Sequence, residues 1–320
     1  MGSSELSTPS LILGGNVFGW TADRATSFAV LDAFIAGGGT MVDTADSYSS
    51  WAPGNSGGES ESIIGEWLAT RGRRDDVLVA TKVGAEVFGG KGLAPDRIRA
   101  SVEGSLKRLR TDYIDLYYAH YDDPATPFEA TLEVFDELVR AGKVRAIGAS
   151  NHTAERLRDA LDTSAARSFA RYTVLQPEYN LVERDKFEGP LQDLVVERGI
   201  AAVPYFALAS GFLTGKYRDA ADTASRARGG AVAKYLTAEG LGILKAVDLV
   251  AADHGATAAQ VSLAWIAAQP GVAAPIASAT SAAQVEELLG AMRLTLTDQQ
   301  RARLDGASRG GAVAATTTAS

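Results

Sequence analysis

Short apolar runs alternate along the chain with longer stretches whose apolar positions recur every three or four residues. The runs Ser10–Leu13, Thr40–Asp43, Val77–Lys82, Tyr113–Ala119, Val144–Ala149, Tyr172–Gln176, Ala201–Pro204 and Val272–Ile276 are rich in Val, Ile, Leu and Tyr. Gly, Pro, Asp or Asn bounds them, and they predict strands. The amphipathic stretches Ala25–Ala36, Glu59–Thr70, Pro95–Leu109, Pro127–Ala141, Ala154–Ala165 and Asp185–Arg198 predict helices between them. Pro95 and Pro127 stand where a first helical turn tolerates proline, and Gly37 and Gly142 stand where a helix ends.

Strand and helix patterns repeated eight times, with no break in composition, imply the α/β class and a single closed (β/α)8 TIM barrel over residues 1–309. An open doubly wound sheet is the rival fold, though it more often has fewer units or a second domain. The polar segment from Gly211 to Lys234 separates the seventh strand from a helix that begins near Thr237. Loops of that length in a compact domain are usually functional or disordered, and residues 206–236 are expected to lie over a cofactor site. Residues 310–320 are small and polar and read as a flexible tail.

Charge and composition narrow the function. Lys and Arg number 31 against 39 Asp and Glu, a net charge of −8, which argues against nucleic acid as the main partner. The absence of cysteine excludes disulfides, thiolate metal sites and a cysteine nucleophile, and no metal is expected. No apolar run is long enough to span a bilayer, and Met1 to Ser10 lacks the pattern of a signal peptide. The expectation is a cytoplasmic protein acting on a small molecule, with its oligomeric state open.

In such a barrel the reactive groups gather where the strands end. Those positions hold Asp43 after the second strand, Lys82 after the third and His120 after the fourth, each about one repeat beyond the last. Tyr48 follows Asp43 on the adjoining loop. Alone, Asp43 is as well explained as a loop cap, Lys82 as a solvated cation and Tyr48 as a rim aromatic. Together they suit a reaction that builds negative charge on a carbonyl oxygen. Tyr48 would donate the proton, Lys82 would lower the phenol pKa, Asp43 would hold and charge Lys82, and His120 would orient the substrate oxygen. His152 and His254 read as ordinary surface or helix residues.

The segments Asp43-Thr-Ala-Asp-Ser-Tyr48, Thr81-Lys82-Val83-Gly84 and Tyr117-Tyr118-Ala119-His120 resemble the tetrad motifs of the aldo-keto reductase family. So do Ile147–Asn151, Gln176–Asn180 and Leu208–Lys216, in the family's order over nearly the whole chain and closest to the bacterial branch that resembles potassium-channel beta subunits. The resemblance implies a (β/α)8 barrel and NADPH-dependent reduction of carbonyls. It places Ser150, Asn151 and Gln176 on the nicotinamide carboxamide, with Tyr205 stacked on the ring. It sets the backbone of Leu208, Ser210 and Gly211, with Lys216, against the pyrophosphate. Arg226 would reach the 2′-phosphate of NADPH, while Arg218 and Arg228 are equally explained as loop solvation. Gln284 and Glu287 match positions that hold the adenosine end, although Ser281 to Gln284 also reads as a capping box. Ser278-Ala279-Thr280 lacks a basic residue common in the family, and Leu288 stands where Asn is common, so NADH stays open as a cofactor. Phe206-Ala207 replaces a frequent Ser-Pro.

Asn16, Trp20, Trp51, Phe88 and Tyr121 lie on predicted strand-to-helix loops and are candidate walls of a substrate pocket. They would suit an apolar ketone, an aldehyde or a sugar-derived carbonyl. Two alternatives stand beside reduction: a Schiff-base aldolase using Lys82, and a cofactor-sensing regulatory subunit.

Overall fold

Parallel strands cannot be joined by tight turns, so each must be followed by a crossover, usually a helix. The computed structural model describes residues 1–224 and 228–309, and among them eight parallel strands follow this rule. They are β1 Ile12–Gly14, β2 Met41–Asp43, β3 Leu78–Val83, β4 Ile114–Ala119, β5 Val144–Ser150, β6 Tyr172–Gln176, β7 Ala201–Ala202 and β8 Ile276–Ala277. Six helices take the crossovers between β1 and β7: α1 Arg24–Ala36, α2 Glu59–Arg71, α3 Pro95–Leu109, α4 Phe128–Arg140, α5 Ala154–Arg167 and α6 Pro190–Glu197. The long segment after β7 holds a 3₁₀ turn, Ala209–Thr214, and the single turn α7, Gly229–Val232. Then come α8 Ala238–His254, α9 Ala258–Ala267, α10 Ala282–Gly290 and α11 Asp298–Ser308.

The sheet order is β7-β6-β5-β4-β3-β2-β1-β8. It closes where Val272 bridges Ala202 and Ile276 N–H donates to Pro204 O at 2.8 Å. The result is the (β/α)8 barrel expected from the sequence. Side chains alternate in and out along each strand. Leu116, Tyr118, Ala146, Val174 and Val203 fill the interior, with Leu6 among them. Their neighbours Val79, Tyr117, Ile147 and Leu175 join the larger core between sheet and helices. A Cβ at Gly148 would come within 2.6 Å of the Tyr118 ring, so only glycine admits that ring to the interior.

Among the differences from the sequence reading are two spans and one histidine. The helix expected over 185–198 starts at Pro190, because the chain turns at Gly189 with φ +82°. The last strand is only Ile276–Ala277, since Val272 bridges β7 whereas Ile276 pairs with β1. His152 is buried rather than exposed, its Nδ1 2.9 Å from Ser150 O. Arg226 and residues 310–320 lie outside the described residues. No helix among those described is long and apolar enough to cross a membrane, and they contain no group of three or more His, Asp or Glu placed to hold a metal.

Candidate active site

β2, β3 and β4 run parallel and in register, with Asp43 opposite Ala80 and Lys82 opposite Tyr118. That register brings their C-terminal ends to one mouth. Lys82 is fully buried there. Its Nζ donates to Asp43 Oδ1 at 2.6 Å, to Thr44 O at 2.7 Å and to the Tyr48 hydroxyl at 2.8 Å. An ammonium has three protons, and each finds an acceptor. Tyr48 lies 3.3 Å from the same Asp43 oxygen. Asp43 Oδ2 accepts from Gln176 Nε2 at 2.8 Å, so the carboxylate is held from two sides. Tyr48 meets His120 edge to face, with ring centroids 6.1 Å apart, and His120 stacks on Tyr121 at 4.8 Å.

The electrostatics correct one expectation. Burial and the Asp43 carboxylate hold the Tyr48 hydroxyl well above the ordinary phenol range, so the resting group is a neutral phenol. Burial pushes Lys82 down, against the pull of Asp43. His120 is pushed well below its usual range by burial and then by the Lys82 charge, which leaves a neutral imidazole at pH 7.

Above the tetrad opens a cleft of about 970 Å³, at the upper end of the ~300–1,000 Å³ usual for small-molecule sites. Asp43, Tyr48, His120, Ser150, Asn151, Gln176 and Tyr205 line its deep end. Leu208, Ser210, Gly211, Lys216, Gln284 and Glu287 line it as well. Asn151 holds a left-handed backbone, φ +56°, a conformation Asn tolerates better than most residues. Its Nδ2 donates to His120 O at 2.9 Å and its Oδ1 accepts from the Tyr205 hydroxyl at 2.7 Å. Ser150 Oγ donates to Gln176 O at 2.8 Å. These residues therefore tie β5, β6 and the loop after β7 to the tetrad.

Other assignments change. The N–H groups of Ala209 and Gly211 bond Phe206 and Leu208 carbonyls within their own turn, so they are not free for an anion. Gln284 Oε1 accepts from Thr280 N–H at 2.8 Å, which caps the strand-to-helix turn in place of the expected reciprocal box at Ser281. Of the aromatic candidates, Trp51 and Tyr121 line the cleft with Asn16, whose Oδ1 accepts from Ser278 Oγ at 2.5 Å. Trp20 stands behind Trp51, edge on at 5.8 Å. Phe88 does not line the cleft; it is 56% exposed, and its ring lies under the Arg108 guanidinium.

The sequence reading left Arg228 as loop solvation, yet it lines the cleft, 5.6 Å from the Trp20 ring. Burial lowers its pKa, and its Nη2 has no hydrogen-bond partner among the described residues. A half-buried guanidinium with a buried, unpaired nitrogen beside a cleft fits a phosphate-bearing ligand. Beyond the spread of Arg along the loop, the sequence held no signal for it.

A barrel with an acid, a phenol, an amine and an imidazole around a cleft of this size defines a class of oxidoreductase. The model of the Aldo/keto reductase family matches residues 10–309, and the chain belongs to that family. It is 35% identical to the aldo-keto reductase YhdN of Bacillus subtilis, over 89% of this chain and 84% of that protein. It is 32% identical to the protein tas of Escherichia coli, over 94% of each. To a probable voltage-gated potassium channel subunit beta of Oryza sativa it is 32% identical, over 91% and 90%. The chain is an oxidoreductase that acts on carbonyl groups.

Proposed function

We infer that the protein reduces aldehydes or ketones with NADPH, with Tyr48 giving the proton. The observation that carries this reading is the three-way contact of the Lys82 ammonium with Asp43, Thr44 and Tyr48 at the base of the cleft. When bound, the dinucleotide supplies hydride from its nicotinamide ring. Ser150, Asn151, Gln176 and Tyr205 would hold that ring at the deep end. Lys216 and Arg228 would offer positive charge to the phosphates, and Gln284 and Glu287 polar contacts to the adenosine end. Cation charge near the 2′-phosphate favours NADPH over NADH.

As negative charge grows on the carbonyl oxygen, neutral His120 can hydrogen-bond it and Tyr48 can protonate it. The phenolate left behind is stabilised by the Lys82 bond, which counts most at that moment. Trp51 and Tyr121 are each half exposed at the mouth and offer flat apolar walls to the substrate. A lysine aldolase needs an amine open to substrate, and the complete burial of Lys82 speaks against it.

Tyr48→Phe tests the reading. Turnover should fall by about 10²- to 10⁴-fold, the usual worth of a positioned acid, while NADPH still binds as judged by fluorescence titration. A variant that turns over at the wild-type rate refutes Tyr48 as the acid. The likeness to a channel beta subunit favours a regulatory second reading; a purified protein that binds NADPH but reduces no carbonyl in a broad screen would support it.

A further inference from the structure

Beside the tetrad lies a buried polar cluster that the reaction above does not use. Strand alternation sends Lys82 into the barrel and Thr81 outward. Thr81 Oγ1 donates to Glu61 Oε1 at 2.6 Å, and Arg108 Nε donates to Glu61 Oε2 at 2.6 Å, with Glu61 fully buried on α2. Asp46 sits in the turn between Asp43 and Tyr48, is 1% exposed, and bonds Lys82 O through its own N–H at 3.4 Å. Neither carboxyl oxygen of Asp46, nor the hydroxyl of buried Tyr117, has a hydrogen-bond partner among the described residues. An ionised carboxylate with no donors is costly in such a place, and taking up a proton relieves the cost.

We propose that Asp46 is a positioning residue for the reaction: a buried carboxyl that gains and loses a proton and, acting through Lys82, sets how readily Tyr48 gives up its own. The inference rests on the reductase reading. The groups that face Asp46 are Glu61 from α2, Arg97 and Arg108 from α3, Lys82 from β3 and Tyr117 from β4. Burial first, then Glu61, pushes the Asp46 carboxyl up to about 7, against the opposing pull of Arg108, Arg97 and Lys82.

The sign follows from charge. With Asp46 protonated, Asp43 and Glu61 alone remain to offset the field of Lys82, and the phenol gives its proton more readily. With Asp46 ionised, added negative charge favours the ammonium of Lys82 yet offsets its pull on the phenolate. Reduction then slows as pH rises through neutrality, and alcohol oxidation, with Tyr48 as base, speeds up.

Two measurements on the full chain test this. In the ligand-free protein, infrared difference titration should show a protonated-carboxyl band lost near pH 7. Asp46→Asn should remove the band, and Glu61→Gln should move its midpoint to lower pH. In single-turnover reduction of 4-nitrobenzaldehyde with NADPH, the wild-type rate should fall roughly threefold to tenfold between about pH 6 and 8, as expected for up to one pKa unit of coupling. Asp46→Asn should hold the acidic rate across that range, and Glu61→Gln should shift the fall downward. A purely structural Asp46 would lower the rate equally at every pH and leave the inflection in place, which overturns the proposal. Should Asp46→Asn not fold, an unmoved inflection in Glu61→Gln overturns it. A wild type that reduces nothing but still shows the Asp46 band defeats the reductase reading and with it the tuning role; a missing band defeats the proton-holding carboxyl alone.

Discussion

Each residue at the tetrad owes its behaviour to partners supplied by a different strand. Lys82 is tolerable as a fully buried cation because Asp43, Thr44 and Tyr48 take its three protons. That Asp43, Tyr48, Lys82 and His120 meet was legible, because Asp43, Lys82 and His120 fall at or next to the ends of consecutive strands and Tyr48 on the loop after the first of them. Asp46, His152 and Arg228 were not. Burial of a charged or polar residue is decided by which helices and loops close over it, and a short polar motif carries no trace of that. Tyr205 separates two roles that the sequence could not. Its hydroxyl donates to Asn151 Oδ1 at 2.7 Å, while its ring borders the cleft. Tyr205→Phe keeps the ring and loses one hydrogen bond, worth about 1 kcal/mol, so the Kd for NADPH should rise by roughly fivefold or less. Tyr205→Ala also loses the stacking surface and should weaken binding by a further tenfold or so, ~1.5 kcal/mol. Equal losses in the two variants, measured by fluorescence titration, would put the hydrogen bond, not the stack, in charge.

Among the elements, those with strong local signals match their expected bounds. Pro95 opens α3 and Leu109 closes it, and β6 spans Tyr172–Gln176, as read from the sequence. β7 and β8 are only two residues long, because their partners there are Pro204, Val272 and the turn at Gly271. Proline-bearing edges of that kind blur the alternation from which strands are read. Close packing of α2 on α3 rests on a glycine inside a helix, a position that propensity alone disfavours. A Cβ on Gly65 would stand 2.1 Å from Arg108 O and 2.7 Å from the Leu109 carbonyl carbon, both backbone atoms that cannot step aside. Gly65→Ala gains helix propensity yet must push the two helices apart, an overpacking cost of about 1–3 kcal/mol. A lower urea midpoint is expected, and because Arg108 leaves from the same turn of α3 to reach Glu61, the cluster around Asp46 should loosen with it. A midpoint raised by the better helix former would show that α2 and α3 have slack at this crossing.

For the whole molecule, the cluster beside the tetrad turns into a dependence of stability on pH. An aspartate titrates at about 3.8 when unfolded, and folding carries Asp46 up to about 7. Between those values the native state binds more protons than the unfolded chain, so this residue makes stability fall as pH rises. Its cost is absent below about pH 4, grows through the window, and is complete above about pH 7, where it reaches on the order of 4 kcal/mol. Most globular proteins gain stability over this range as their paired carboxylates ionise, and in this one Asp46 works against that trend. Asp46→Asn keeps the shape and removes the charge. Its advantage over wild type in denaturant unfolding should therefore be small at about pH 4 and grow to roughly 4 kcal/mol by about pH 8. An advantage that stays constant over that span would mean that Asp46 is ionised in the folded protein throughout. A carboxyl kept at such expense beside Lys82 is what the proposed proton-sensitive adjustment requires, and the size of that expense is directly measurable without any substrate.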